Sequence, residues 1–475
     1  MTYRPPVGSI PTLAVPDLGA IRRAHLVGIG GAGMSGLAWL LLARDVGVSG
    51  SDLKETPALT QLRAAGAEIS IGHDATNVVT PHAVIVSTAI ARDNPEIVEA
   101  ERKGIQILAR AQVLAALMRG GRGVAVAGTH GKTSTTSMLA VILERAGADP
   151  TYVVGGDLNE SGSNARSGGG EVFLAEADES DGSFLLLEPE IAIVTNVEAD
   201  HLDFFADRDE VEVAFASFCS RAGLVVACAD DPGIARVVQA AAIDPLWYGE
   251  DQRSEVRVAD IRGHRGGTRA RLVIGGQEPW EGSLEVPVPG RHHAVNAAGA
   301  VAAATRLGVA PDVAVHALGA FGGVRRRWER TGVARGAEFV DDYAHHPTEI
   351  AATLAAARDE DHARIVGVFQ PHRYTRTAGM WRALGESLRG ADVVIVTDVY
   401  GAGEDPVVGI TGKLVIDALV EAAPGKRAVY LPKRLDLAPF LAREVRDGDL
   451  VLTLGAGDIT MVGRETLDLL GDDGS

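Results

Sequence analysis

The sequence predicts an α/β protein of three domains, and three observations carry that prediction. Short β-branched runs alternate with helical stretches along nearly the whole chain, the pattern of βαβ units and parallel sheets. The pattern restarts three times, at residues 24–28, 123–127 and 338–342, each time with a run that ends in glycine or acid. The 475 residues are also about three times the ~150 residues of a common domain. Glycine-rich passages at 119–123 and 319–324 place the expected boundaries, giving domains 1–120, 121–324 and 325–475.

Composition narrows the function. With 46% hydrophobic and 23% charged residues the chain can build large cores, and its two cysteines, Cys219 and Cys228, have no metal-ligand spacing and are read as packing residues. The net charge of −18 argues against a general nucleic-acid or anionic-membrane binder. Any anionic ligand must therefore be captured locally. The opening 13 residues contain three prolines and no apolar h-region, so a loose lead-in is expected there and not a signal peptide. The apolar stretch 37–43 is far short of the ~20 residues that span a bilayer, and a cytoplasmic protein without membrane insertion is expected.

The first element is a strand that runs into Gly28-Ile-Gly30-Gly31-Ala-Gly33, followed by a helix over 34–44. Backbone N–H groups at such a helix start can hold a diphosphate. Asp52 follows a second short strand, 19 residues beyond Gly33, where a dinucleotide fold places its ribose-binding acid. Taken alone, this turn leaves a nicotinamide-dependent dehydrogenase open.

The second element repeats the plan: strand 123–127, then Gly128-Thr129-His130-Gly131-Lys132-Thr133-Ser134 and a helix. The loop matches the short GxxGK[ST] form of a P-loop. Glycines let the backbone curl around phosphate oxygens, Lys132 offsets their charge, and the Thr133 hydroxyl can ligate Mg²⁺. Lys132 is one of only six lysines in the chain. Magnesium calls for carboxylates at neighbouring strand ends, and two such ends exist: Glu176-Ala-Asp178-Glu179-Ser-Asp181, and Asn196-Val-Glu-Ala-Asp200-His201.

The last third brings Arg325-Arg326-Arg327, then Asp341-Asp342-Tyr343-Ala-His345-His346-Pro347, then Gln370-Pro-His372-Arg373-Tyr374-Thr-Arg376. The latter two sit at the ends of expected parallel strands, where open α/β sheets collect ligands. Arginines and histidines gathered there suit phosphates or a carboxylate.

Taken in order, these motifs resemble those of the Mur ligase family, over essentially all of the chain: GIGGAGMSG at 28–36, GTHGKT at 128–133, EADESD at 176–181, TNVEADH at 195–201, DDYAHHPTE at 341–349 and FQPHRYTR at 369–376. The resemblance implies a Rossmann-like N-terminal domain that holds a UDP-sugar, a central P-loop ATPase domain with a mainly parallel sheet, and a Rossmann-like C-terminal domain that closes over the site. It implies an ATP-dependent, amide-forming ligase of an early step in peptidoglycan synthesis. ATP would phosphorylate the lactyl carboxylate of UDP-N-acetylmuramate, and L-alanine would attack the acyl phosphate. Carried onto this sequence, Lys132 contacts the γ-phosphate; Thr133 and Glu176 ligate one Mg²⁺ and His201 a second; Asn296 and Arg327 lie on the nucleotide side. His346, His372, Arg373 and Arg376 would face the acyl phosphate or the amine. Gly30, Gly31, Ser35, Asp52, Ser87 and Thr88 would seat the UDP-sugar, and a monomer or weak homodimer is expected. A family relative that attaches a preformed tripeptide is the nearest alternative, but Ser180 and His372-Arg373-Tyr374 favour alanine addition. Two departures stand out. Arg291-His292-His293 precedes Ala-Val-Asn296 where the family has His-Asn, and no lysine lies between His201 and Arg291 to be carbamylated.

Overall fold

The structure, a computed structural model, describes residues 13–159, 163–201 and 204–471. The expected lead-in at 1–12 lies outside the described residues. Three sheets organise the rest, so the α/β prediction holds. The first has five parallel strands in the spatial order Glu68–Ile71, Gly47–Asp52, Arg23–Val27, Ala83–Val86 and Gln106–Ala109. Its chain order reverses beside Arg23–Val27, so residues 28–31 emerge at the switch point where a doubly wound sheet leaves room for a ligand. Val27, Val84 and Val86 pack with Ile97 and Ala100 of helix Pro95–Arg102. Burying each such valine or isoleucine side chain contributes about 1.5–3 kcal/mol.

The second sheet has ten strands. Arg122–Ala127 lies at its middle, between Ile191–Val194 and Val172–Glu176, and both neighbours run parallel to it. Val126 stands opposite Glu176 and Ala127 opposite Val194, so the segments after all three strands leave from one edge. That register brings acids far apart in sequence to one glycine loop. The third sheet orders Glu329–Ala334, Ala337–Asp342, Asp449–Leu454, Arg364–Phe369, Val393–Val396 and Arg427–Tyr430, antiparallel only in its first pair.

The chain forms two compact units. One comprises residues up to Ala259 with Leu272–Gly282 and Val295–Ala320; the other comprises Asp260–Arg271, Ser283–Ala294 and everything from Phe321. The first two sheets thus share a unit, apart from the larger part of strands Val256–His264, Gly267–Ile274 and Trp280–Val286 of the ten-stranded sheet, which falls in the other unit. The passage at 119–123 is no slack linker. Arg122 donates its backbone N–H to the Glu171 carbonyl at 2.8 Å and pairs with Glu190. Both cysteines are buried free thiols, and burial pushes each up to about 12, as packing residues require. Among the described residues no helix is long and apolar enough to cross a membrane.

Candidate active site

Helices Ala32–Leu42 and Lys132–Arg145 each begin directly after a glycine loop and without a side-chain cap. Elsewhere Thr56, Asn94, Asp207 and Asp231 cap helix starts with their own oxygens. Leading N–H groups left without such a partner are the physical basis of an anion site.

In the Lys132 loop, Gly131 takes φ +79 and Gly128 φ +141, both in the region that favours glycine. A methyl group on Gly128 would collide with the Thr195 hydroxyl, and one on Gly131 would lie 2.9 Å from Asn296 Nδ2. Segment 195–198 clasps the loop. The Asn196 side chain accepts from the His130 N–H at 2.8 Å and donates to the His130 carbonyl at 3.0 Å. Thr129 Oγ1 accepts from the Glu198 N–H at 2.9 Å. The loop is therefore held in its curled form by the strand end beside it.

Lys132 Nζ donates to the Gly128 carbonyl at 2.6 Å and to Glu179 Oε1 at 2.9 Å. Burial would lower its pKa, but Glu179, Asp178 and Glu176 outweigh that and raise it, so the ammonium stays charged. Thr133 Oγ1 donates to Glu176 Oε1 at 3.2 Å, and Glu176 Oε2 accepts from the Gly155 N–H at 2.7 Å. Burial pushes the Glu176 carboxyl up, against the pull of Lys132. His201 adopts φ +54 and faces Glu179 Oε1 at 3.5 Å; burial alone would depress its pKa, yet Glu179 and Asp200 raise it. Lys132, Thr133, Glu176, His201 and Asn296, picked from separate motifs, thus come together. Glu179, named in the sequence only as one of a run of acids, is the one that holds the lysine.

In the first glycine loop, Gly30 donates its N–H to Asp52 Oδ2 at 2.8 Å. Asp52 here braces the loop itself. Gly31 is the N-cap and Ser35 is buried one turn on. Ser87 and Thr88 line a pocket with Arg110, Asp181 and Leu186, and Thr88 Oγ1 donates to Asp181 Oδ2 at 3.0 Å. Arg110 was missed. Its guanidinium fills the space beside Gly33 that a methyl would need, and its charge helps hold Asp178 ionised after that of Lys132, against burial. It thus bears on both the first glycine turn and the acids after strand Val172–Glu176, from the start of helix Arg110–Met118.

In the second unit, three segments leave the sheet ends side by side. Arg327 Nη1 pairs with Glu349 Oε1 at 3.1 Å, and burial would lower its pKa but Glu349 and Asp342 raise it. Arg326, read in the sequence as part of a phosphate-binding run, is consumed structurally. It donates to the carbonyls of Gly455, Ala456 and Gly457 and pairs with Asp341. Tyr343 lies under both guanidinium groups, 4.9 and 5.0 Å from its ring centre. His346 sits at the start of helix Pro347–Asp359 as its N-cap, with Nδ1 accepting from the Thr348 N–H at 3.4 Å, so only Nε2 points away from that role. His372 stacks 5.9 Å from Tyr400 and meets Arg376 Nη1 at 3.5 Å from its Nδ1. Arg373 takes φ +65 at the start of helix Tyr374–Ser387. Burial, then the nearby arginines, hold His372 down to about 4; burial holds His345 to about 3 and His292 to about 4. These imidazoles are neutral at pH 7. His293, the departure from the family pattern, is buried with its pKa well below the usual value, first by burial and then by His292 and Arg327.

Residues 23–122 match "Mur ligase family, catalytic domain", 126–304 match "Mur ligase middle domain" and 326–457 match "Mur ligase, glutamate ligase domain". A protein of Mycobacterium sp. (strain JLS) named UDP-N-acetylmuramate–L-alanine ligase is 47% identical, covering 97% of each chain. One of the same name from Desulforamulus reducens is 44% identical over 95% of this chain and 98% of its own. Among solved structures, a UDP-N-acetylmuramate-alanine ligase of Thermotoga maritima matches with TM-score 0.79 and 31% identity, over 94% of this chain and 98% of its own. A murein peptide ligase of Psychrobacter arcticus matches with TM-score 0.71 and 26% identity, over 96% and 100%. On three consecutive domain matches and identity near one half over almost its full length, the chain belongs to the Mur ligase family of ATP-dependent ligases.

Proposed function

We propose that this protein joins L-alanine to the lactyl carboxylate of UDP-N-acetylmuramate at the expense of ATP, an early and cytoplasmic step of peptidoglycan synthesis. The observation that carries the reading is the Lys132 loop, where one buried ammonium, three acids and a threonine hydroxyl meet uncapped helix N–H groups. Carboxylate and ammonium do not condense unaided. Transfer of the γ-phosphoryl group to a lactyl oxygen gives an acyl phosphate and ADP; attack by the free amine then breaks the acyl C–O bond, and phosphate leaves as the amine gives up a proton.

Within this reading Lys132 exchanges Glu179 for the γ-phosphate and keeps its charge, which stabilises the transferring group. Gly128 to Ser134 wrap the β- and γ-phosphates with backbone N–H groups, and Asn296, beside Gly131, faces the nucleotide. Thr133 and Glu176 are the residues that fit Mg²⁺: hard oxygen donors already in contact, one of them a carboxylate whose pKa burial raises. His201, with Glu179, is proposed to bear on a second ion. Magnesium supplies charge neutralisation for the phosphoryl group. In the first domain Gly30, Gly31 and Ser35 offer the diphosphate its donors, Asp52 fixes the loop, and Ser87 and Thr88 border the sugar end. Arg110 supplies the cation that the Gly28–Gly33 turn itself lacks. In the second unit Arg373 and Arg376 bind the amino-acid carboxylate, His346 and neutral His372 accept hydrogen bonds from the amine, and Arg327 stays on the nucleotide side. Domain boundaries near 120 and 324 and a monomer or weak homodimer belong to the same proposal.

The acyl phosphate is tested with UDP-N-acetylmuramate carrying ¹⁸O in its lactyl carboxylate. Transfer of one ¹⁸O to released phosphate is expected; phosphate without the label would exclude the intermediate.

A further inference from the structure

The second unit carries a histidine and two glutamates that no part of the reaction uses. Glu338 opens into strand Ala337–Asp342, while Glu360 and His362 follow the end of helix Pro347–Asp359. All three side chains are at most 9% exposed. Each carboxylate is divided in its duties. One oxygen is taken: Glu338 Oε1 pairs with Arg330, and Glu360 Oε1 pairs with Arg330 at 2.6 Å and accepts from the Gly266 N–H at 3.0 Å. The other oxygen of each is turned toward one imidazole nitrogen. His362 Nε2 lies 3.1 Å from Glu360 Oε2 and 3.8 Å from Glu338 Oε2, and all three atoms fall within 4.8 Å of one another.

Two buried carboxylates share one guanidinium, Arg330, and each turns its other oxygen to the same imidazole nitrogen; buried carboxylates are ordinarily paired or coordinate a metal. The 3.8 Å separation is too long for a hydrogen bond. It is near the ligand-to-ligand edge of a tetrahedral ion with bonds of about 2.0–2.1 Å, an edge of about 3.3 Å. Arg330 and Gly266 hold the outer oxygens as supporting partners commonly hold those of metal-bound carboxylates. A surface cavity lined by Asp359, Asp361 and His362 gives an acidic entry, and Arg358, which also borders it, is engaged by Asp392 at 2.6 Å and the Gly390 carbonyl at 3.0 Å.

We propose that Glu338, Glu360 and His362 form a binding site for a divalent transition ion of the zinc type, with a fourth position open to the cavity. Imidazole with two carboxylates suits such an ion better than the all-oxygen sets of magnesium or calcium. The ion would pin the start of a central strand to the loop after the helix beside it.

The test uses the full-length protein stripped with a chelator, then titrated with Zn²⁺ alone while bound metal is counted by mass spectrometry. Wild type is expected to bind one more equivalent than His362→Gln, and zinc to raise the melting temperature of the wild type more than that of the variant. Glu338→Gln serves as a second probe should the first fold poorly. ATP- and substrate-dependent turnover in magnesium is expected to be unchanged in His362→Gln, which separates this site from the one around Thr133 and Glu176. Equal zinc stoichiometry in wild type and a folded variant, or no zinc bound by the wild type, would overturn the proposal.

Discussion

The two glycine loops of the first unit use one backbone device for two electrical purposes. Both follow a central parallel strand and both open an uncapped helix. In the first, the Gly30 N–H is taken by Asp52, an acid, and positive charge arrives from outside the turn through Arg110. In the second, the cation is built into the helix start as Lys132 and is held by acids from the neighbouring strand. The difference teaches that a loop meant to hold a phosphate needs donors, whereas one meant to transfer a phosphoryl group also needs a charge already in place.

Replacing Lys132 by alanine breaks the comparison most sharply. Phosphate release is expected to fall by about 10²–10³ or more, while UDP-N-acetylmuramate affinity by calorimetry stays within about twofold of wild type on the separate-loop argument. Comparable loss of sugar-nucleotide binding would count against two independent loops. Thr133→Ala is expected to lower turnover by about 10–100-fold and to raise the magnesium needed for half-maximal rate. Titration of rate against Mg²⁺ checks it, and an unchanged requirement removes Thr133 from the ion.

Neutral histidines set the second unit apart from the charged Lys132 loop. His372, held to about 4 when folded, takes up its proton in the unfolded chain first, near pH 6.5. Its burial therefore costs nothing above pH 6.5 and lowers stability progressively as pH falls from there toward 4. Asp342, raised to about 6 by burial, works in the opposite direction, adding stability as pH falls from about 6 to about 4. Urea midpoints at pH 7.5 and 5.0 should therefore show His372→Asn recovering roughly 1–2 kcal/mol of the acid loss. Equal losses in variant and wild type would mean that His372 is not held neutral.

Smaller effects sharpen the first loop. Arg110→Met should raise the KM for the sugar nucleotide about tenfold with kcat within a few-fold, the worth of one charge-assisted contact. A change confined to kcat would move Arg110 to the phosphoryl-transfer step. Thr88→Val removes the bond to Asp181 and should cost about 1 kcal/mol or less by chemical denaturation, with a rise in the KM for the sugar nucleotide smaller than that of Arg110→Met.

Much of this was legible in the chain because local pattern and chemistry coincide there. The switch from β-branched run to glycine to helix announces both loops, and the run of acids at 176–181 announces partners for a cation. What could not be read depends on register. Nothing local says that Glu179 rather than Asp178 reaches Lys132, or that segment 195–198 clasps His130; strand pairing decides both. Arg326 and Arg327 are adjacent and alike in sequence, yet φ +60 at Arg326 turns it to the carbonyls of 455–457 while Arg327 pairs with Glu349. His346, expected from the resemblance to face the acyl phosphate or the amine, is also a helix cap because it directly precedes Pro347. Arg110 carries no motif at all.

The most direct test of the central claim is phosphate release from ATP and Mg²⁺ with UDP-N-acetylmuramate and L-alanine supplied separately and then together, with the product weighed by mass spectrometry. Release that requires both substrates, with an alanyl sugar nucleotide formed in equal amount, is the expected result. Release indifferent to alanine but driven by a preformed tripeptide, or release with neither, would contradict it.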